Sequence, residues 1–391
     1  MDSSRPERDV VGVYVHVPFC ARACPYCDFD FVVGRNPETR TYLDGLAREF
    51  TLRRDALASA EIATLYVGGG TPSLLPVNAL EEILRTVGGS AGGPFVPEEV
   101  TVEANPEHVT VAWARAMKSL GVHRISLGTQ SFVGEGLVTL GRAHGAVQGR
   151  RALERLVAEG LSVSADLIVG WPGQGVARLD RELSVLLETG VGHISVYALT
   201  IEEDTPWTGL VARGMRSMPE PDLQAELLET CEARLCAAGF EHYEIASYAR
   251  PGQRARHNQR YWRWEDFIGV GPSAASAMRQ PDGGLLRTVN PRGLGPWLEA
   301  VASAADVAPG TQERLSPEAA ACEGLWLGLR MLEPLDVRRL EQAFARGPGW
   351  AHAKLAPLVE RGIVRTHGPH HVAVGSGQWL LHDTIAETLL G

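Results

Sequence analysis

Short apolar runs alternate with helix-patterned stretches through the first two thirds of the 391-residue chain. The runs Val11–Val17, Thr64–Val67, Val100–Glu103, Arg124–Leu127, Ser162–Ile168 and His193–Leu199 read as strands. Helical spacing fills Glu38–Leu57, Asn78–Val87, Thr110–Leu120, Ala146–Glu159 and Ala177–Glu188 between them. Six strands, each separated from the next by a helix, predict a parallel sheet with helices on one or both faces. In such sheets the working residues gather on loops at the C-terminal ends of the strands. Here those ends carry a cysteine run, G-G-G-T-P, E-A-N-P, G-T-Q-S-F and D-L-I-V-G-W-P-G in turn. Polar and glycine-rich signals at the same end of five strands predict one lined mouth of a barrel or half-barrel.

Farther along, the Pro/Gly/Arg-rich stretch from Pro281 to Pro296 and the A-D-V-A-P-G-T segment around Pro309 read as linkers. Ser316–Leu332, Val337–Phe344 and Ala351–Arg361 then read as helices. Two β-like runs around H-G-P-H-H, Ile363–Thr366 and His371–Val374, precede a last helix. Helices followed by a hairpin resemble a winged helix, a shape used for protein and nucleic-acid contacts alike.

Composition narrows the class without naming a function. The chain is 45% hydrophobic and 21% charged, as in ordinary globular proteins. No run approaches the roughly eighteen apolar residues that a membrane span requires. The N-terminus, M-D-S-S-R-P-E-R-D-V, lacks the apolar core of a signal peptide. Clustered cysteines without such a signal suit a reducing cytoplasm. A formal net charge of −10 argues against broad nucleic-acid binding, which needs a basic surface.

The chemistry concentrates in V-P-F-C-A-R-A-C-P-Y-C-D-F, where Cys20, Cys24 and Cys27 follow the first strand at C-x3-C-x2-C spacing. Three thiolates on one short loop can hold three irons of a [4Fe–4S] cube and leave the fourth open to a ligand. A structural zinc site would want a fourth Cys or His nearby, and His16 is the one candidate within ten residues. Cys231 and Cys236 lie on a predicted helix and read as buried small hydrophobes.

G-G-G-T-P (Gly68 to Pro72) serves either as a tight strand-to-helix turn or as backbone brought close to a ligand. Glu103, Gln130, Arg142 and Asp166 are the polar residues nearest the predicted strand tips. Singly each reads as a solvated residue or helix cap. Together they supply acids for an ammonium and ribose hydroxyls, and an arginine for a carboxylate. Tyr14 lies on the first strand, and Tyr26 sits between Cys24 and Cys27, where its ring either packs locally or stacks on a base. His367, His370 and His371 cluster at the predicted hairpin tip as an exposed turn or a metal site.

The cysteine spacing followed by G-G-G-T-P resembles the radical S-adenosylmethionine superfamily. Y-V-H-V-P-F-C, V-E-A-N-P, G-T-Q-S-F, G-R-A-H-G and D-L-I-V-G-W-P-G resemble its coproporphyrinogen oxidase branch. H-N-Q-R-Y-W, His257 to Trp262, resembles the H-N-x-x-Y-W signature of the HemW-type heme chaperones. The resemblance implies an α/β fold, a partial (β/α)6 TIM-type barrel over residues 10–240. An accessory segment at 241–310 and a winged-helix-like domain at 311–391 would follow. It implies a cluster on Cys20, Cys24 and Cys27, and S-adenosylmethionine among Tyr14, Tyr26, Gly69, Gly70, Thr71, Glu103, Gln130, Arg142 and Asp166. The methionyl amine and carboxylate would chelate the open iron, and an electron would cleave the C–S bond to give a 5′-deoxyadenosyl radical.

Within the branch, the oxidases resemble C-x3-C-x2-C-x-C, whereas Phe29 stands two positions after Cys27. They also carry a longer extension before the first strand; thirteen residues precede Tyr14 here. Both differences favour a heme chaperone that delivers heme to an apo-hemoprotein, with a reductant such as flavodoxin or ferredoxin. The alternative is a radical enzyme, an oxygen-independent coproporphyrinogen oxidase or a related methyltransferase or cyclopropanase. The porphyrin site is expected at R-A-R-H-N-Q-R-Y-W-R-W, Arg254 to Trp264. Arginines there can pair propionates, aromatic faces can lie on the macrocycle and His257 can ligate iron. Single-stranded nucleic acid, or plain aromatic packing with snorkelling arginines, would draw on the same composition. Many relatives read A-H-S where this chain reads A-A-S, so Ala275 takes the place of a histidine.

Overall fold

A computed structural model describes residues 9–34, 39–203, 205–304 and 310–391. Strand β1 (Asp9–Val17) leads into a short parallel ladder, β2 (Phe19–Cys20) and β3 (Val32–Val33), which closes the cysteine loop at its base. Helices α1 (Thr39–Leu52) and α2 (Arg54–Ala58) return the chain to β4 (Ala60–Gly69). The expected single helix up to Leu57 is thus interrupted at Arg53, whose Nε donates back to Glu49 (2.9 Å). Next come α3 (Val77–Ser90) and β5 (Glu99–Ala104), then α4 (Val111–Ser119) and β6 (Arg124–Gln130). Two short helices, α5 (Gly134–Thr139) and α6 (Ala146–Ala158), precede β7 (Ser162–Val169). The helix α7 (Val176–Glu188) leads to β8 (His193–Ala198). Strands β1, β4, β5, β6, β7 and β8 pair in parallel in that order, forming the partial (β/α)6 barrel.

These six strands do not read like ordinary parallel strands, which are buried on both faces and nearly all apolar. Each alternates with period two. Val13, Val15, Leu65, Val67, Val100, Val102, Ile125 and Leu127 pack outward against Leu46, Leu80, Ile83 and Met117 of the helices. The intervening positions, such as Tyr66, Thr101, Glu103, Ser126, Ser164, Asp166 and Ser195, line a central cavity. The helices therefore cover the outer face, and the inner face stays polar.

Both edges of this sheet are extended. After α8 (Pro206–Ala212) and α9 (Pro221–Ala237), strands β9 (Glu241–Glu244) and β10 (Ser247–Ala249) add antiparallel on the β8 side. The helix α10 (Arg256–Trp262) then leads to β11 (Phe267–Val270), parallel to β1. Antiparallel β12 (Ala275–Arg279), β13 (Leu285–Val289) and β14 (Thr311–Leu315) follow, with α11 (Leu294–Ser303) between the last two, giving a sheet of twelve strands. The linker expected from Pro281 to Pro296 is therefore a strand and the start of a helix. Its glycines and prolines bracket these elements: Gly283, at φ +84°, turns the chain into L-L-R-T-V, which pairs on both sides. Of the second expected linker, residues 305–309 lie outside the described residues, and Thr311 already opens β14.

The remaining elements are α12 (Pro317–Gly328), β15 (Leu335–Asp336), α13 (Val337–Ala343), α14 (Trp350–Glu360), β16 (Val364–His367), β17 (His371–Val374) and α15 (His382–Leu390). They enclose a second apolar cluster around Leu325, Leu340, Leu355 and Ile385. The chain leaves the large sheet at one edge, β14, and meets it again at the other. Ile245 N donates to Arg330 O and Leu332 N to Tyr243 O, both at 3.1 Å, so residues 330–332 pair antiparallel beside β9.

Helix α10 lies against the lower ends of β4 and β5, away from the cysteines. Glu99, the first residue of β5, accepts from Arg256 N (3.2 Å) and His257 N (3.0 Å) and from Arg124 Nε (3.0 Å). One buried carboxylate thus caps the unpaired N–H groups of a helix and neutralises a buried guanidinium. Glu99→Ala leaves Arg124 buried without its anion, and we expect a loss of about 3–5 kcal/mol in urea denaturation of the cluster-free chain.

Candidate cofactor site

Cys20 ends β2, and Cys24 and Cys27 lie on the turn beyond it, closed by Cys27 N donating to Cys24 O (3.3 Å). All three are free and partly exposed. They line a cavity of about 430 Å³ that runs down the inner face of the barrel. Tyr26, Gly69, Gly70, Thr71, Glu103, Gln130, Arg142 and Asp166 line the same cavity. The strand tips therefore bring together every candidate residue except Tyr14 and His257.

Around the thiols, Thr71 Oγ1 and Arg142 Nη1 each lie 3.5 Å from a sulfur, of Cys20 and Cys24 respectively. Burial raises the Cys20 thiol and pushes Cys27 up to about 11, so both hold their protons unless metal charge ionises them. Among the described residues, no group of three or more His, Cys, Asp or Glu side chains is arranged to hold a single metal ion. A four-iron cube takes each cysteine at a separate corner, and three well-spread thiols fit that demand.

The glycines after β4 answer to packing as well as to a ligand. A Cβ on Gly69, at φ +104°, would come within 2.6 Å of the His16 ring, and one on Gly70 within 2.7 Å of Phe19 O. The turn reading of G-G-G-T-P holds, and the same bare backbone, at Gly69 and Gly70, also lines the cavity.

Two carboxylates stand deeper in the wall. Glu103 accepts from Tyr66 Oη (2.7 Å) and Gly69 N (3.0 Å), and Asp166 accepts from Ser126 Oγ (3.1 Å). Desolvation lifts Glu103 to about 7 and Asp166 to about 6, outweighing those hydrogen bonds. Among the described residues neither makes a salt bridge, so both are open to a positive or hydroxyl-bearing guest. Buried Gln130 Oε1 and Arg142 Nε also lack protein partners. Gln130 holds φ +60°, unusual for a non-glycine residue and placed at the tip of β6.

Tyr14 stands beside the cavity, its hydroxyl 3.0 Å from His16 Nδ1 and its ring 6.1 Å from that of Tyr66. Arg254–Trp264, where the porphyrin is expected, is closely packed. His257 is 1% exposed, with Nδ1 2.8 Å from Thr64 Oγ1 and Nε2 2.7 Å from Tyr261 Oη. Arg254 pairs Glu241 and Glu333, Arg256 pairs Glu98, Arg260 pairs Glu265 and Arg263 pairs Glu333. The motif is a packed plug at the barrel floor, where Asn258 lines the cavity. Ala275 points into a separate apolar cleft of about 240 Å³ shared by Tyr261, Phe267 and Phe344. Cys236 is exposed rather than buried, whereas Cys231 is fully buried.

Sequence reasoning passed over Asn105, Tyr66 and Ser126. Asn105 joins Arg142 Nη2 to Thr71 through its side-chain amide, and it lies within the E-A-N-P motif. Tyr66 and Ser126 occupy the polar positions of the alternating strands, a signal present in every one of the six.

Fold and site together define a protein of the radical SAM class, and the Radical SAM superfamily matches residues 14–186. A heme chaperone, HemW, of Mycobacterium tuberculosis is 36% identical over 97% of this chain and 95% of its own. HemW of Escherichia coli is 36% identical over 74% of this chain and 77% of its own. The mouse mitochondrial radical S-adenosyl methionine domain-containing protein 1 is 34% identical over 74% of this chain and 66% of its own. The solved structure of Escherichia coli coproporphyrinogen III oxidase, HemN, superposes with a TM-score of 0.82 over 99% of this chain and 91% of its own, at 22% identity. The chain belongs to the HemW family of the radical SAM superfamily. A [4Fe–4S] cluster and S-adenosylmethionine are the cofactors of that superfamily, and the thiols and polar wall fit both.

Glu103 gives a pH signature. Its proton is held more tightly in the folded chain than at its ordinary value of 4.5, so its contribution to stability is full below pH 4.5 and lost as pH rises through about 7. Glu103→Gln removes that titration. Relative to the variant, the cluster-free parent should lose up to about 3 kcal/mol between pH 4.5 and 8, read by denaturation at each pH.

Proposed function

We propose that this chain is a heme chaperone that binds heme alongside its cluster and S-adenosylmethionine and passes the heme to an apo-hemoprotein. The observation that carries this reading is 36% identity, nearly end to end, with a protein named heme chaperone HemW. Phe29 at the position where the oxidases have a fourth cysteine supports the same branch. The likeness to coproporphyrinogen oxidase extends to the fold alone. No helix among the described residues is long and apolar enough to cross a membrane, and the free cysteine triad suits the reducing cytoplasm.

In this reading Cys20, Cys24 and Cys27 hold three corners of the cluster. Gly69, Gly70 and Thr71 border the methionyl end of S-adenosylmethionine, and Arg142 faces its carboxylate. Glu103 and Asp166 take its ammonium and ribose hydroxyls, Tyr26 and Gln130 flank the nucleoside, and Tyr14 backs the wall. When bound, the reduced cluster supplies the electron that breaks the C–S bond of S-adenosylmethionine. A small reductant of the flavodoxin or ferredoxin kind would deliver that electron at the cysteine mouth. Both nitrogens of His257 are engaged, by Thr64 and Tyr261, so this reading does not assign it as the heme ligand.

Anaerobic reconstitution should yield about four irons per chain and nearly none in Cys24→Ala, read by iron assay. The reconstituted chain should bind heme stoichiometrically. Supplied with reductant, S-adenosylmethionine and coproporphyrinogen, it should yield no decarboxylated porphyrin, and such a product would overturn the chaperone reading. His257→Ala should keep the heme spectrum while losing about 1–3 kcal/mol of stability from its two buried hydrogen bonds. A lost Soret band in the folded variant would make His257 the ligand after all.

A further inference from the structure

The three cysteines are held by different parts of the molecule, and the third has the weakest local support. Cys20 is in the β2–β3 ladder and touches Thr71. Cys24 is braced by Arg142 Nη1, and its neighbour Pro25 accepts from Trp207 N (2.8 Å) at the start of α8. Cys27 is secured by contacts within its own loop, a 3.3 Å turn hydrogen bond to Cys24 O and the Phe29 backbone against its thiol. Beyond it the chain must run through Asp28, Phe29 and Asp30, with Phe29 59% exposed, before β3 begins.

Asp30 fixes that return. One carboxylate oxygen, Oδ2, accepts from Ser273 Oγ and from Gly293 N, each at 2.7 Å. The Asp30 carbonyl oxygen lies 2.9 Å from His16 Nε2 on β1. Ser273 belongs to the turn between β11 and β12, and Gly293 to the turn before α11. Both turns are themselves rigid: Glu49 accepts from Gly271 N (2.9 Å), and Asn290 donates to both Glu49 (2.8 Å) and Gly271 O (2.7 Å). Ser273 adopts φ +57°, a conformation a serine keeps only where its surroundings impose it. Arg292 Nη2 adds a bond to Asp28 O (3.0 Å). The segments added on the β1 side thus hold the cysteine loop chiefly through the Asp30 side chain, with Arg292 adding one bond.

We propose that Asp30 is the positioning residue of the third cluster corner, joining the β11–β13 extension to the cysteine loop through Ser273 and Gly293. Asp30 touches neither the sulfurs nor the cavity; it acts through Cys27.

The test reads the cluster without heme, so its outcome is separate from that of the chaperone reading. Reconstituted full-length chains are challenged anaerobically with a ferrous chelator. The reduced cluster is also examined by electron paramagnetic resonance with and without S-adenosylmethionine. Asp30→Ala should release iron about tenfold faster than the parent and lose most of the spectral change that S-adenosylmethionine induces. Asp30→Asn keeps an acceptor oxygen and should restore both. Ser273→Gly removes the hydroxyl while easing the left-handed backbone, so its fold is not at risk, and it should accelerate release about threefold. Release at the parental rate in both Asp30→Ala and Ser273→Gly would overturn the assignment.

Discussion

A parallel sheet with one polar face is the constraint on which this structure depends. Its helices can bury only the outer side, because Glu103, Asp166 and the serines between them would be costly against an apolar layer. The inner face must therefore surround polar space. The two carboxylates respond with raised proton affinity rather than by pairing with cations, which leaves their oxygens open to whatever enters. At the floor the same demand is met differently, by pairing Arg124 with Glu99 and capping α10 with the same carboxylate.

The mouth follows a second logic. Iron–sulfur ligands must sit at fixed separations, yet a C-x3-C-x2-C loop is too short to contain its own scaffold. Here the scaffold is borrowed from β4, the turn before α6, α8 and the β11–β13 extension. The cavity wall and the cluster loop consequently share parts: Thr71 and Arg142 contact both the sulfurs and the polar row. A change in one is transmitted to the other over a single side chain.

The strands and the cysteine mouth were legible because five of the six strands end in polar or glycine-rich residues. Tyr66 and Ser126 were equally legible in principle, as the polar members of an alternation that ordinary parallel strands lack. The H-N-Q-R-Y-W motif was ambiguous, because arginines and aromatics have the same composition in a plug as in a porphyrin site. What separates the two is where the partner carboxylates lie, and two of them, Glu98 and Glu333, are distant in sequence. The strand inside Pro281–Pro296 was hidden by its brackets, since five residues between a Pro-Asp-Gly-Gly turn and an Asn-Pro-Arg-Gly turn look like more turn. Asp30 could not be found at all without coordinates, because its value lies in two loops more than two hundred residues away.

The pairing of residues 330–332 with β9 bears on how the last helices are regarded. A twelve-stranded open sheet has two raw margins, and each is a template for pairing with a second copy of the chain. The chain leaves from one margin and lays backbone against the other. The C-terminal part thereby works as selvage, the bound border that keeps a fabric from unravelling. Swinging these helices aside would break backbone hydrogen bonds at the seam and bare the β9 margin.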